Sequence, residues 1–386
     1  MSVREPDLRE IRDAVAKLCA AFPMEYWRGL DRERKYPTEF VRALTEAGWL
    51  SCLIPEEYGG AGLGLRAAAA VLEEVQRSGA NGAACHAQMY TMGTVLRHCS
   101  EAQKKKYLPR IATGELRLQA FAITEPSAGT DTSSIRTTAV RKGDGYVLNG
   151  QKVWTSRAEH SDLMLVLART TPRERVQKKT DGMSVFIVDL RTAVGNGLTI
   201  KPLVTMMNHA TTELFFDNLE VPAANLVGVE GKGFGYILDS MNVERILIAS
   251  ECIGDARWFI ARSTAYATER QVFGRPIGQN QGIQFPIARS YAQTEAAALM
   301  VQKAAALFDA GGKCGAEANM AKMLAADASK EAADVCIQTH GGYGFAEEYD
   351  VERKFRETRL YQVAPISTNL ILSYLGTHVL GLPKSF

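Results

Sequence analysis

QAFAITEPSAGTDTSSI, residues Gln119 to Ile135, is where the texture of the chain changes. It opens as a short apolar run and passes into a turn rich in Ser, Thr and Gly, so a strand feeding a hydroxyl-lined loop is expected. Upstream, runs such as FVRALTEAGW and AAAVLEEVQRSG have the amphipathic period of helices, broken by the turn segment PEEYGGAGLG. Downstream, GYVLNGQKVWTS, DLMLVLART, GMSVFIVDL, GLTIKPL and TELFFDN are short strand-like runs parted by Gly, Asn, Asp and Pro. Strands this close together, with no helix between them, imply an antiparallel sandwich or barrel rather than a parallel sheet. After VGVEGKGFGY the helical period returns, and the Ala-rich run AEANMAKMLAADASKEAADVC has high helix propensity. The expected fold is α+β: an N-terminal helical domain over 1–117, a middle antiparallel β domain over 118–229 and a C-terminal helical bundle over 230–386.

A chain of 386 residues is long for one core and fits two or three packed subdomains. Hydrophobic residues at 46% and charged residues at 23% describe a globular protein. The net charge of +2, with basic residues interleaved among acidic ones, gives no electrostatic case for nucleic acid. MSVREPDLREIRDAVAKL has no apolar leader core, and no apolar run is long enough to cross a bilayer. The seven cysteines form no CxxC pair, which favours buried reduced thiols in a cytoplasmic protein over metal or redox roles.

The chain lacks GxGxxG, a Walker loop, HExxH and GxSxG, which argues against the usual nicotinamide, nucleotide-triphosphate, zinc and serine chemistries. The turn after Gln119 admits two readings. It is a structural loop, or one whose amides and hydroxyls converge on a strongly hydrogen-bonding ligand.

Taken together, PEEYGGAGLG, ITEPSAGTD, LNGQKVWTS, ERQVFGRPIGQNQG and QTHGGYGF, in that order over nearly the whole chain, resemble the acyl-CoA dehydrogenase family. The resemblance implies FAD bound by the β domain and the second helical domain, α-proton removal from an acyl thioester, and transfer of the β-hydride to flavin. It implies flavin contacts from Phe121, Ile123, Thr124 and Thr130, with Thr130 also near substrate. In KVWTS it implies Trp154 near the ring, with Thr155 and Ser156; the alternative for Trp154 is a core aromatic at the sheet edge. Arg270, Phe273 and Gln281 match positions that hold the pyrophosphate and adenine of a neighbouring subunit, and Gln338, Gly341 and Gly342 match the other half of that site. An ordinary helix C-cap is the alternative for the glycine pair.

The stretch RLYQVAPISTN, Arg359 to Asn369, departs from the family pattern. Where most members carry a catalytic glutamate it has Pro365, which has neither an ionisable group nor an N–H to offer the thioester carbonyl. Ile366 or Ser367 could stand in for that N–H. Some members take the base from a helix of the second helical domain, and DSMNVERILIASE carries Glu244 there. On a helix, Ile237, Met241, Glu244 and Ile248 share one face, so this carboxylate lies on an apolar stripe that favours a raised pKa. A structural ion pair is the alternative, although Arg245 points about 100° away around the helix.

The resemblance further implies substrate contacts from Asn242, Arg245 and Ala364, and a flavin cap from Ser367 and Thr368. The small Ala364 suggests room for a branched or bulky acyl group. Electron-transfer flavoprotein is the implied electron acceptor, with a homodimer or homotetramer as the assembly and no metal. Competing readings are an enoyl-CoA reductase, a desulfinase-type elimination, an acyl-carrier-protein dehydrogenase, or a flavin-binding protein without catalytic activity.

Overall fold

The structure is a computed structural model that describes residues 8–384. The first seven residues, part of the charged segment read as no leader, lie outside the described range, as do the last two. Helices α1 (Leu8–Cys19), α2 (Met24–Glu33), α3 (Thr38–Glu46), α4 (Leu65–Arg77), α5 (Ala83–His98) and α6 (Glu101–Ala112) come first. Strands β1 (Leu118–Ala122), β2 (Thr138–Lys142), β3 (Gly145–Ser156), β4 (Leu163–Arg169) and β5 (Met183–Asp189) follow. After the single turn α7 (Leu190–Ala193) come β6 (Leu198–Pro202), β7 (Thr211–Pro222) and β8 (Leu226–Val227). The chain continues through α8 (Gly233–Glu269), the hairpin of β9 (Gln271–Val272) and β10 (Arg275–Pro276), α9 (Gln281–Asp309), α10 (Gly315–His340), α11 (Val351–Arg359) and α12 (Thr368–Tyr374).

These elements form two compact units that interleave along the chain. The β unit comprises Arg34–Leu63 and Ala83–Met241; the helical unit comprises the segment ending at Glu33, Gly64–Gly82 and the chain from Asn242 onward.

In the β unit the sheet runs β6-β7-β3-β2-β4-β5-β8, with β1 joined to β4. Most neighbours are antiparallel as expected, but β1 pairs with β4 in parallel and β2 touches β4 through one parallel bridge. The β2–β3 hairpin lies between β1 and β4 in sequence and gives the chain the length that a parallel return needs. Strand alternation assigns the two faces. Leu163, Leu165 and Leu167 of β4 join Met92, Val95, Leu108 and Ile111 of the α5 and α6 helices in one core. Met164, Val166 and Ala168 face a second core closed by Tyr146, Leu148, Leu214 and Phe216 of β3 and β7. A strand buried on both faces reads as the continuous apolar run LMLVLA, and each such side chain contributes roughly 1.5–3 kcal/mol.

In the helical unit, α10 presents Ala318, Ala321, Ala325, Ala328 and Ala332 as a buried small-residue stripe. Spacings of three and four residues keep these methyls on one face, which lets neighbouring helices approach closely. The unit also buries charge. Lys354 Nζ reaches Asp255 Oδ1 at 2.5 Å and donates to Gln76 Oε1 at 2.7 Å and the Ala80 carbonyl at 3.0 Å. Burial raises the Asp255 carboxyl to about 7 against the pull of Lys354. All seven cysteines are buried, and none forms a disulfide. No helix among the described residues is long and apolar enough to cross a membrane.

Candidate active site

In the β unit the loop after β1 is fastened to β3 by a buried ion pair. Lys152 Nζ donates to Glu125 Oε1 at 2.9 Å and to the Ile123 carbonyl at 2.8 Å, and Val153 N–H donates to the Thr124 carbonyl at 2.9 Å. Glu125 also accepts the Arg136 and Thr137 amides at 2.6 and 2.9 Å. Burial pushes the Lys152 ammonium down to about 8. Burial alone would raise the Glu125 carboxyl, but Lys152 and the hydrogen bonds outweigh it and hold it below its ordinary value. The sequence signal for this pair was a lysine in the inward phase of an alternating strand.

The fastening brings Ile123 and Thr124 beside the β3 segment that holds Trp154, Thr155 and Ser156. The β3–β7 register shifts between Lys152 and Thr155, and Trp154 has φ 61° at that bulge. A bulge re-aims a side chain. Trp154 is accordingly 62% exposed and is not a core aromatic. Thr155 is buried, and its hydroxyl has no hydrogen-bond partner among the described residues. Phe121 instead packs into the core, stacked on Tyr90 with ring centroids 6.4 Å apart. Thr130 is exposed farther along the loop.

In the helical unit, Glu244 is half-buried on α8, between the buried Val243 and Arg245. Arg245 Nη1 donates back one turn to Asn242 Oδ1 at 2.9 Å, so its fork serves Asn242, while its buried Nε has no partner among the described residues. Burial lowers the Arg245 pKa, opposed by Glu244, Tyr374 and Cys314. α11 gives way to a short turn ending at Gln362, and the chain crosses Ala364 and a cis Pro365 before α12 begins at Thr368. Ser367 caps α12 by accepting the Leu370 amide. The buried Lys322 of α10 donates to the Ile366 carbonyl at 2.8 Å. The Thr368 hydroxyl is likewise buried and has no hydrogen-bond partner among the described residues.

A separate cluster in this unit gathers the remaining predicted residues. Phe273 and Gly274, both at positive φ, turn the β9–β10 hairpin, and Phe273 stands fully exposed at its tip. Two positive-φ residues match a type I′ turn, and a bulky residue in that region is strained by roughly 1–2 kcal/mol. Arg270 lies over the Tyr343 ring at 5.8 Å, which sets the hairpin against the turn that follows α10. Gln281 and Gln338 are exposed. Gly341, at φ 59°, is the C-cap of α10, so its own helix requires glycine. Gly342 has no such need: its φ is not positive, and a Cβ there would meet open space. Its bare backbone fits close approach by a ligand.

Comparison with known proteins gives the class, a flavin-dependent oxidoreductase acting on acyl-CoA. Residues 5–115, 120–219 and 231–365 match the N-terminal, middle and C-terminal domains of acyl-CoA dehydrogenase. The chain is 36% identical to an acyl-CoA dehydrogenase of Bacillus subtilis (strain 168) over 91% of its length and 92% of that protein. It is 39% identical to cyclohex-1-ene-1-carbonyl-CoA dehydrogenase of Syntrophus aciditrophicus (strain SB) over 86% of its length and 80% of that protein. It superimposes on the solved glutaryl-coenzyme A dehydrogenase glutaryl-CoA complex with a TM-score of 0.91 and 32% identity, covering 100% of this chain and 98% of that one. The chain belongs to the acyl-CoA dehydrogenase family, and its cofactor is FAD.

Proposed function

We propose that this chain dehydrogenates an acyl-CoA thioester between its α and β carbons, with Glu244 as the base. The observation that supports this most is the pairing of an absent and a present carboxylate. Pro365 occupies the place of the usual glutamate, and Glu244 sits half-buried on α8 among buried neighbours. A carboxylate partly shielded from water suits a general base. Glu244 takes the α-proton, Arg245 and Asn242 hold the thioester arm, and Ala364 leaves space for a branched or cyclic acyl group. Thr124, Trp154, Thr155 and Ser156, with Ile123 and Thr130, contact the flavin ring, and Ser367 and Thr368 are a second set of flavin contacts. Arg270, Phe273, Gln281, Gln338, Gly341 and Gly342 hold the dinucleotide of a neighbouring subunit in a homodimer or homotetramer. Bound FAD supplies the acceptor for the β-hydride. Electron-transfer flavoprotein then takes the electrons in the cytoplasm.

Anaerobic titration with a panel of acyl-CoA thioesters tests the reading. The wild-type flavin should bleach, and Glu244→Gln should retain FAD yet bleach at least about 100-fold more slowly. Full-rate bleaching by that variant removes Glu244 from the role.

A further inference from the structure

Removing an α-proton from a thioester places negative charge on the carbonyl oxygen, and a preorganised donor must meet it. Pro365 has no N–H, so the donor has to be another group. We propose that the donor is the backbone N–H of Ser367, and that Lys322 is the positioning residue that aims and strengthens it.

The Lys322 ammonium, buried on α10, holds the Ile366 carbonyl oxygen at 2.8 Å. That oxygen belongs to the peptide whose nitrogen is Ser367. In a trans peptide the C=O and N–H point in opposite directions, so drawing the oxygen onto a buried side chain turns the Ser367 N–H the other way. A charged donor on the carbonyl polarises the peptide and makes its N–H a stronger donor. The Ser367 N–H has no acceptor among the described residues; the cap hydrogen bond of α12 uses the Ser367 hydroxyl, which receives the Leu370 amide at 3.4 Å. The Ile366 N–H belongs to the preceding peptide, which has no such clamp.

The same neighbourhood holds the candidate base. Lys322 and Arg245 sense each other's charge, and Arg245 in turn senses Glu244 and Tyr374 of α12. As the α C–H bond breaks, the proton passes to Glu244 and the electron pair delocalises onto the thioester oxygen. The Ser367 N–H receives that charge without giving up its own proton.

The inference rests on the dehydrogenase reading, and its test separates the two. Ser367 has φ −69° and ψ 148°, which proline can adopt. Ser367→Pro therefore deletes the N–H and the hydroxyl, whereas Ser367→Ala deletes the hydroxyl alone and serves as the reference. Three quantities are compared: flavin reduction by acyl-CoA, FAD content, and the isotope-edited infrared stretch of the thioester carbonyl in bound enoyl-CoA. Ser367→Pro should reduce flavin about 100-fold more slowly than Ser367→Ala, with the carbonyl stretch moved back toward its value in solution. Lys322→Met, if it keeps FAD, should shift the stretch in the same direction and lower kcat more than it changes KM; this variant decides the matter if Ser367→Pro fails to fold. Equal rates and equal stretches in Ser367→Pro and Ser367→Ala overturn the assignment of the N–H, as does a wild-type stretch in folded Lys322→Met. A wild-type enzyme bleached by no acyl-CoA overturns instead the reading beneath it.

Discussion

Lys152 and Glu125 form an ion pair at 2.9 Å with both side chains buried, and the pair ties the loop after β1 to the strand carrying Trp154. Removing one partner strands the other charge in the interior. Lys152→Met should destabilise the fold by about 3–5 kcal/mol. The double variant Lys152→Met with Glu125→Gln keeps an acceptor for the Thr137 amide and should recover much of the loss. Urea midpoints of the four proteins check this; a single variant within about 1 kcal/mol of wild type contradicts it.

The pair also predicts an acid limb of stability. The Glu125 carboxyl is lowered from 4.5 in the folded protein because Lys152 and the amide donors outweigh burial. The unfolded chain therefore takes up this proton first as pH falls. The contribution is fully present above pH 4.5 and is lost as pH drops through the depressed folded value. Melting temperatures from pH 7 down to 3 should fall less steeply in Glu125→Gln than in wild type, and parallel curves would remove Glu125 as a cause.

What the sequence reveals follows from which forces are periodic. β4 and β5 are legible because burial on both faces writes itself into the continuous apolar runs LMLVLA and VFIVD. β2, with the sequence TAVRK, is not, because four of its five residues are exposed and only Ala139 turns inward. The helical period shows that α1, α2 and α4 have an apolar face but not what covers it. They belong to the unit of α8 to α12, whereas α3, α5 and α6 pack with the sheet. The candidate residues came from motif order, and their support did not. Lys322 has no local pattern that shows it reaching Ile366, 44 positions away. Trp154 could be read as core or surface until the bulge fixed its direction.

Ala364 gives a prediction about substrate choice. It is half-buried in the segment that follows the turn ending at Gln362. If it bounds the acyl pocket, Ala364→Tyr should lower kcat/KM for a branched or cyclic acyl-CoA by about 10–200-fold relative to a straight-chain one. A uniform loss across the panel would place Ala364 outside the pocket.

Gly254 sets how closely α8 lies on α4 within the helical unit. A Cβ built there would overlap the Glu73 carbonyl oxygen and come within 2.7 Å of the Gln76 Cβ and 3.0 Å of the Arg77 nitrogen. These are mainly backbone atoms of a helix, so no side-chain rotation relieves the clash and the two helices must move apart. Separation would strain what hangs on both: Gln76 Nε2 donates to the Tyr361 hydroxyl at 2.9 Å, and Lys354 draws on both Gln76 and Asp255. Alanine normally favours a helix over glycine by about 1 kcal/mol, so a surface site would be stabilised by this change. Here overpacking should dominate, with a net destabilisation of about 1–3 kcal/mol and a lower melting temperature. Because α8 also carries Glu244, ten positions earlier on a continuous helix, the displaced helix should slow flavin reduction while FAD content is retained. A Gly254→Ala protein with unchanged melting temperature would show that the contact yields without cost.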